Sequence, residues 1–214
     1  MSHYLTLVLV PHDTPDCART VQTQLAPYDE AIQVPPYVVP CACIGHLAEQ
    51  AARAIADQNV EPWHTLYTRY HAMPPSERPA LDVWMAAWNA TVEQARKAHP
   101  LDQRPDPTCP ECDGTGLRTT TYNPESHWDY WRIGGRWDGW LSPNNLLPAC
   151  DAAAAHKIPF ALLEPDGTWH DLHDFWHDPW HAHREKAEAA WESKVESLLR
   201  AHPDTIAVAC DLHI

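Results

Sequence analysis

Residues 205–214 read Thr205-Ile206-Ala207-Val208-Ala209-Cys210-Asp211-Leu212-His213-Ile214, an apolar run without proline or glycine. Side chains alternate across a strand. Ile206, Val208, Cys210, Leu212 and Ile214 therefore share one face, which reads as core. Ala207, Ala209, Asp211 and His213 share the other, small and then polar, as where a sheet opens into a cleft. A matching run, HYLTLVLV at 3–10, ends at Pro11, which has no N–H to give to a ladder. Antiparallel pairing of these two strands sets His3 beside Asp211 and His213. Two imidazoles and a carboxylate then meet from distant parts of the sequence, a group suited to acid–base work or to a metal. Polar residues so placed are also commonly just solvated.

Between these strands the periodicity is mostly helical. A short helix is expected at 18–25, another at 45–57 with Leu47, Ala51 and Ile55 on one stripe, and a third at 61–71. Residues 80–98 carry Leu81, Trp84, Met85, Trp88, Val92 and Ala95 at helical spacing, and Pro100 follows. Residues 182–201 carry Ala187, Trp191, Val195 and Leu198 on one face and stop before Pro203. Pro165-Asp166-Gly167 is a turn between the strand-like 159–163 and the returning Thr168-Trp169-His170. The expectation is an α+β fold with a largely antiparallel sheet that includes both terminal strands. The 214 residues are expected to form a single domain, in which 41–108 is a mostly helical insertion ending at a Cys109–Cys112 knuckle.

Twenty-nine acidic residues face fifteen lysines and arginines, for a net charge of −14. The acidic residues are scattered, so the balance reads as solubility, with mimicry of nucleic acid toward a basic partner as the sharper alternative. Generic binding to a nucleic-acid backbone is disfavoured, because that requires basic stripes. The few basic residues could still serve a small phosphorylated ligand. No run is long and apolar enough to cross a bilayer, and residues 1–10 lack a basic leader and a cleavage site. A cytoplasmic location without membrane contact is therefore expected. Seven cysteines, an odd number without an export signal, favour thiols or metal ligands over disulfides.

Cys109-x-x-Cys112, followed by Gly114 and Gly116, is a tight knuckle from which two thiolates can reach one tetrahedral zinc. Cys41-x-Cys43 is the obvious second pair, with His46 in reserve. Such a closed zinc site would be structural and would pin the start of the helical insertion to its end. Buried free thiols are the alternative. Cys17, Cys150 and Cys210 read as small apolar residues.

Directly after the knuckle, Trp128, Trp131, Trp137 and Trp140 fall within thirteen residues, four of the chain's eleven tryptophans. Residues 127–137, HWDYWRIGGRW, suggest two strand-like halves around Gly134-Gly135. Trp128, Trp131 or Trp137 could stack on a planar ring, while Arg132 and Arg136 could grip phosphate or carboxylate. The alternative is that each indole is core. His170, His173, His177 and His181 have metal-like spacing, but Pro179 breaks any helix, which favours a solvated polar loop.

Several blocks resemble a family of uncharacterised bacteriophage and actinobacterial proteins. They are Met1-Ser2-His3, Gln24–Glu30, Tyr122-Asn123-Pro124-Glu125-Ser126-His127-Trp128-Asp129-Tyr130-Trp131, Gly134–Gly139 and Asp211-Leu212-His213-Ile214. Residues 122–140 are the most specific part, although His127 stands where a lysine is usual. The resemblance implies a phage or mobile-element accessory protein and supplies no reaction. It picks out His3, Asp129, Arg136, Asp211 and His213, and from the histidine tract only Trp169, His170 and Trp176. The turn at 109–116 is similar to the zinc repeat of J-domain chaperones, in one copy without their flanking domains.

Three functions compete. The first is a protein that binds or hydrolyses a small nucleotide-like or phosphorylated ligand. Trp128, Trp131, Arg132, Arg136 and Trp137 would bind it, and His3, Asp129, Asp211 and His213 would do the chemistry. The second is a non-enzymatic partner of a host protein, such as an inhibitor of a defence or nucleic-acid factor. The third is a purely structural zinc module.

Overall fold

The computed structural model describes residues 3–175 and 184–214. The strands are β1 (His3–Pro11), β2 (Gln33–Pro40), β3 (Leu117–Tyr122), β4 (Tyr130–Ile133), β5 (Leu146–Pro148), β6 (Ala161–Leu163), β7 (Trp169–Asp171) and β8 (Thr205–His213). The α-helices are α1 (Cys17–Leu25), α2 (His46–Asn59), α3 (Trp63–Ala72), α4 (Leu81–Trp84), α5 (Ala86–Ala98), α6 (Ala149–Ala154) and α7 (Arg184–Ala201). The chain divides into two compact units, residues 1–34 with 122–214, and residues 35–121. The fold is α+β, and no helix among the described residues is long and apolar enough to cross a membrane.

The first unit is built on a six-stranded sheet in the order β4-β8-β1-β6-β7, with β5 also paired to β8. Most pairings are antiparallel, but β1 and β6 run parallel, so the sheet is mixed. β1 and β8 pair antiparallel along their whole length, from His3 opposite His213 to Pro11 opposite Thr205. One face carries Leu5, Leu7, Leu9, Leu162, Ala207 and Ala209 against Ala149, Ala152 and Ala153 of α6 and Trp191, Val195 and Leu199 of α7. The other carries Val8, Val10, Leu163, Val208, Cys210 and Leu212 against Val21 and Leu25 of α1 and against Trp128. Burying each such aliphatic side chain is worth roughly 1.5–3 kcal/mol. Asp16 caps α1 by accepting from the Arg19 N–H at 3.0 Å.

Sheet burial corrects one expectation. The Ala207–Ala209 face of β8 is not an open cleft but a second core face, since small residues let α6 and α7 lie close. Polarity begins only at Asp211. Gly134-Gly135 does not join two strand-like halves either. β4 ends at Ile133, and residues 135–137 wind into a 3₁₀ turn. A Cβ on Gly134 would lie 2.5 Å from Asn145 Nδ2, and one on Gly135 would lie 2.5 Å from Asp211 Cβ. With φ of +72° and +58° as well, both positions require glycine for a close approach and a left-handed backbone.

The second unit contains the β2–β3 pair, the four helices α2–α5 and the cysteine knuckle. The α2 stripe differs from the expected Leu47, Ala51 and Ile55. Ala48, Ala52 and Ala56 are buried, and Ile55 is 41% exposed. An alanine stripe admits the bulky Trp88 and Met85 from the facing segment, which a leucine stripe would push away. The helix expected over 80–98 is broken at Met85, which caps α4 and opens α5. The Trp88 indole N–H donates to Asp57 Oδ1 at 2.9 Å, which ties α5 to α2.

Candidate functional site

Two places gather chemistry, one in each unit. In the second unit, Cys41 and Cys43 follow β2, while Cys109 and Cys112 sit in the turn before β3, so strand pairing delivers both pairs to one point. The Cys41 N–H donates to Gly116 O at 2.8 Å. The four sulfur atoms lie within 4.8 Å of one another, with Cys41 to Cys109 at 3.7 Å and Cys43 to Cys112 at 3.5 Å. A tetrahedral ion with metal–sulfur bonds of about 2.3 Å needs sulfur atoms ~3.8 Å apart. The donor set therefore fits a four-coordinate metal ion. Burial opposes ionisation of Cys112, but the Gly116 N–H and the other three thiols outweigh it and bring it down to about 7. Burial and the neighbouring thiols push Cys43 up to about 12. Ionisation of Cys112 is thus favoured and that of Cys43 opposed, unless a cation compensates the charge. His46, the reserve ligand, is not part of the cluster.

In the first unit the register of β1, β8 and β4 gathers the polar residues. His3 stands opposite His213, and Arg132 opposite Asp211. The His3 Nδ1–H donates to Asp211 Oδ1 at 2.8 Å. The other oxygen, Oδ2, accepts the backbone N–H of Arg136 at 2.9 Å. Asp211 is 3% exposed, so this carboxylate is held on both oxygens away from water. The His213 Nδ1–H donates to Asp129 Oδ1 at 2.5 Å, and the His3 and His213 ring centroids are 4.8 Å apart. A carboxylate only accepts, so each imidazole carries its proton on Nδ1 and leaves Nε2 as the second functional nitrogen.

Beside His3 lies a hollow of ≈ 310 Å³ lined by His3, Tyr4, Leu5, Trp137, Trp140, Ile158 and Phe160. Tyr4 and Phe160 meet edge to face at 5.2 Å. Lys157 Nζ donates to Trp140 O at 2.6 Å and sits 4.9 Å from that ring's centroid. The loop that carries Trp137 is braced by Asn145, whose amide donates to Asp138 at 2.6 Å and accepts the Gly139 N–H at 2.8 Å. The Trp137 indole N–H is buried without a hydrogen-bond partner among the described residues.

The remaining expected ligand residues disperse. Trp128 is 8% exposed, donates to Leu25 O at 2.9 Å, and belongs to the core on the sheet face away from His3. Trp131 packs on that same face, opposite Leu212. Arg132 and Arg136 are exposed, and neither guanidinium has an ion-pair or hydrogen-bond partner among the described residues. It is the Arg136 backbone that reaches Asp211. Tyr4, Ile158 and Phe160 had no motif to announce them, since ordinary strand and loop residues become a lining only through topology.

The histidine tract is not one helical face. His170 lies in β7 and His173 in a 3₁₀ turn, while His177 and His181 fall outside the described residues. Glu164 instead joins His170 and His202, each through Nε2 at 2.6 Å. Comparison with protein-family models, with curated proteins and with solved structures finds no match for this chain.

Proposed function

We propose that the first unit binds a small phosphorylated, ring-bearing ligand, such as a nucleotide, in the hollow beside His3. The observation that carries this reading is an imidazole fixed by a buried, doubly bonded carboxylate at the edge of an aromatic cavity. Trp137 and Trp140 offer faces for a planar ring, and the exposed guanidiniums of Arg132 and Arg136, without a partner among the described residues, offer bidentate donors for phosphate. A core does not need a histidine oriented in this way. The four cysteines hold zinc in this reading, because four thiolates at this spacing suit zinc and leave no open position. The metal then serves folding and takes no part in ligand chemistry. The protein is accordingly an accessory protein of the phage and actinobacterial kind that its Tyr122–Trp140 block resembles.

Titration calorimetry with nucleoside mono- and diphosphates and cyclic nucleotides tests the binding. At least one of them should bind the wild-type chain, and Arg136→Ala should weaken that binding about tenfold or more, the loss expected for a charge-assisted contact. Absence of heat with every member of the panel contradicts the reading. Metal analysis of the purified chain should return one zinc per molecule.

A further inference from the structure

We propose that the hollow hydrolyses a phosphodiester, with His3 and His213 as its acid–base pair, an inference that rests on the ligand reading above. Both imidazoles are tied through Nδ1 to a carboxylate, His3 to Asp211 and His213 to Asp129. Both rings lie on one sheet face at directly paired positions, with centroids 4.8 Å apart, so that His213 adjoins His3, which lines the hollow. Paired anchoring of this kind presets two tautomers side by side, whereas a site that only binds anions needs neither.

The substrate class follows from charge. The first unit carries most of the acidic residues, and Asp129 and Asp211 stand directly beside the imidazoles. Among the described residues the only cluster fit for a metal is the four cysteines, in the other unit. A phosphomonoester dianion asks for strong neutralisation of its phosphoryl oxygens, usually by metal ions. A phosphodiester carries one negative charge, which two exposed guanidiniums can meet. Its cleavage needs a base for the nucleophile and an acid for the leaving oxygen, and two imidazoles supply both.

In the reacting state one imidazole is neutral at Nε2 and the other is protonated there. Water attacks phosphorus and gives a proton to the neutral Nε2. The bond from phosphorus to the leaving oxygen breaks, and that oxygen takes the proton from the other imidazole. The products are a phosphomonoester and an alcohol. The two histidines have exchanged protonation states, and proton exchange with solvent restores them. Asp211 and Asp129 are positioning residues, which hold the rings without touching substrate. Trp137, which lines the hollow, contributes a ring face to one ester substituent.

The test uses the full-length, metal-loaded protein with bis(4-nitrophenyl) phosphate, 4-nitrophenyl phosphate and a panel of linear and cyclic dinucleotides. Release of nitrophenolate or of nucleotide products is followed against pH. Diesters should be cleaved with a bell-shaped pH profile, and the monoester should not. His3→Gln and His213→Gln keep a side-chain amide donor for the carboxylate, and so preserve the fold. Each should lower turnover about 100-fold or more and abolish one limb of the bell, while binding of the intact dinucleotide survives. Binding without cleavage of any diester overturns the proposal and leaves the ligand reading standing. Cleavage that persists in both histidine variants, or that favours the monoester, also overturns it. Failure to bind or to cleave anything removes the proposal and the ligand reading together.

Discussion

The sheet unit and the cysteine unit reach order by different means. The sheet unit seals two layers of aliphatic side chains, with Leu7, Leu9, Leu162, Leu163, Val8, Val10, Val195 and Leu199 all removed from water. The cysteine unit has a core of Ala52, Ala56, Leu66, Met85, Trp88 and Val92, and leaves Trp63, Tyr67, Leu81 and Val83 exposed. Small folds with thin cores need a covalent or metal staple. The contrast teaches where stability is stored: in burial for residues 1–34 and 122–214 and, on the proposed zinc reading, in the four thiols for residues 35–121. It also explains why the oriented histidines sit in the sheet unit, since catalytic and binding groups are held best by rigid elements.

The largest expected effect comes from breaking the staple. Structural zinc contributes an apparent ~10–16 kcal/mol in small metal folds, so if the thiols hold zinc as proposed, Cys109→Ser or strong chelation should unfold the cysteine unit. Limited proteolysis should then cut within residues 35–121 and spare the sheet unit. Simultaneous loss of both units, or of neither, breaks the comparison. Next in size is Leu7→Ala, which opens a cavity in the sheet core and should cost about 2–5 kcal/mol by chemical denaturation. Its transition should move while protection of residues 35–121 stays as in the wild type. Gly135→Ala should cost on the order of 1–3 kcal/mol, because its Cβ would collide with Asp211 and its backbone is left-handed. The same change should release His3 and weaken ligand binding, which separates a local site defect from the global loss in Leu7→Ala.

The smallest effect concerns Glu164. Burial opposes ionisation of its carboxyl, but the hydrogen bonds from His202 and His170 outweigh it and hold that carboxyl below its usual range. A carboxylate depressed on folding stabilises above its unfolded value of about 4.3, and that stability is lost as pH falls through the folded value. Glu164→Gln should therefore cost about 1–2 kcal/mol near neutrality and nothing in acid. A pH-independent difference between the two proteins would show that the His170–Glu164–His202 bridge is not what couples β7 to the end of α7.

The terminal strands and their meeting were legible because long β-branched runs without breakers have few other fates. Their pairing alone placed His3 opposite His213. The four cysteines were legible as two short-spaced pairs, and the structure brings their sulfur atoms within 4.8 Å of one another. The covered Ala207–Ala209 face was not legible, since alanine is equally at home in a helix–sheet contact and beside an opening. The α2 stripe misled because Leu47 and Ile55 outrank alanine in apolarity, yet the bulk of Trp88 demands small partners. His202 lies 38 residues from Glu164 and carries no motif, so only the fold could join it to the Glu164–His170 pair. Trp128 offered no sign that its indole would serve the core while Trp137, nine residues on, would line the hollow.

The account turns on His3 being held by Asp211 at the mouth of a ligand-binding hollow, and histidine-ring NMR tests that most directly. Titrating the protein with the nucleotide that calorimetry selects should shift the ring resonances of His3 and His213 in proportion to occupancy and leave His202 in place. Asp211→Asn should abolish the His3 response. Saturating ligand that moves neither His3 nor His213, or moves His202 as strongly, would contradict the account.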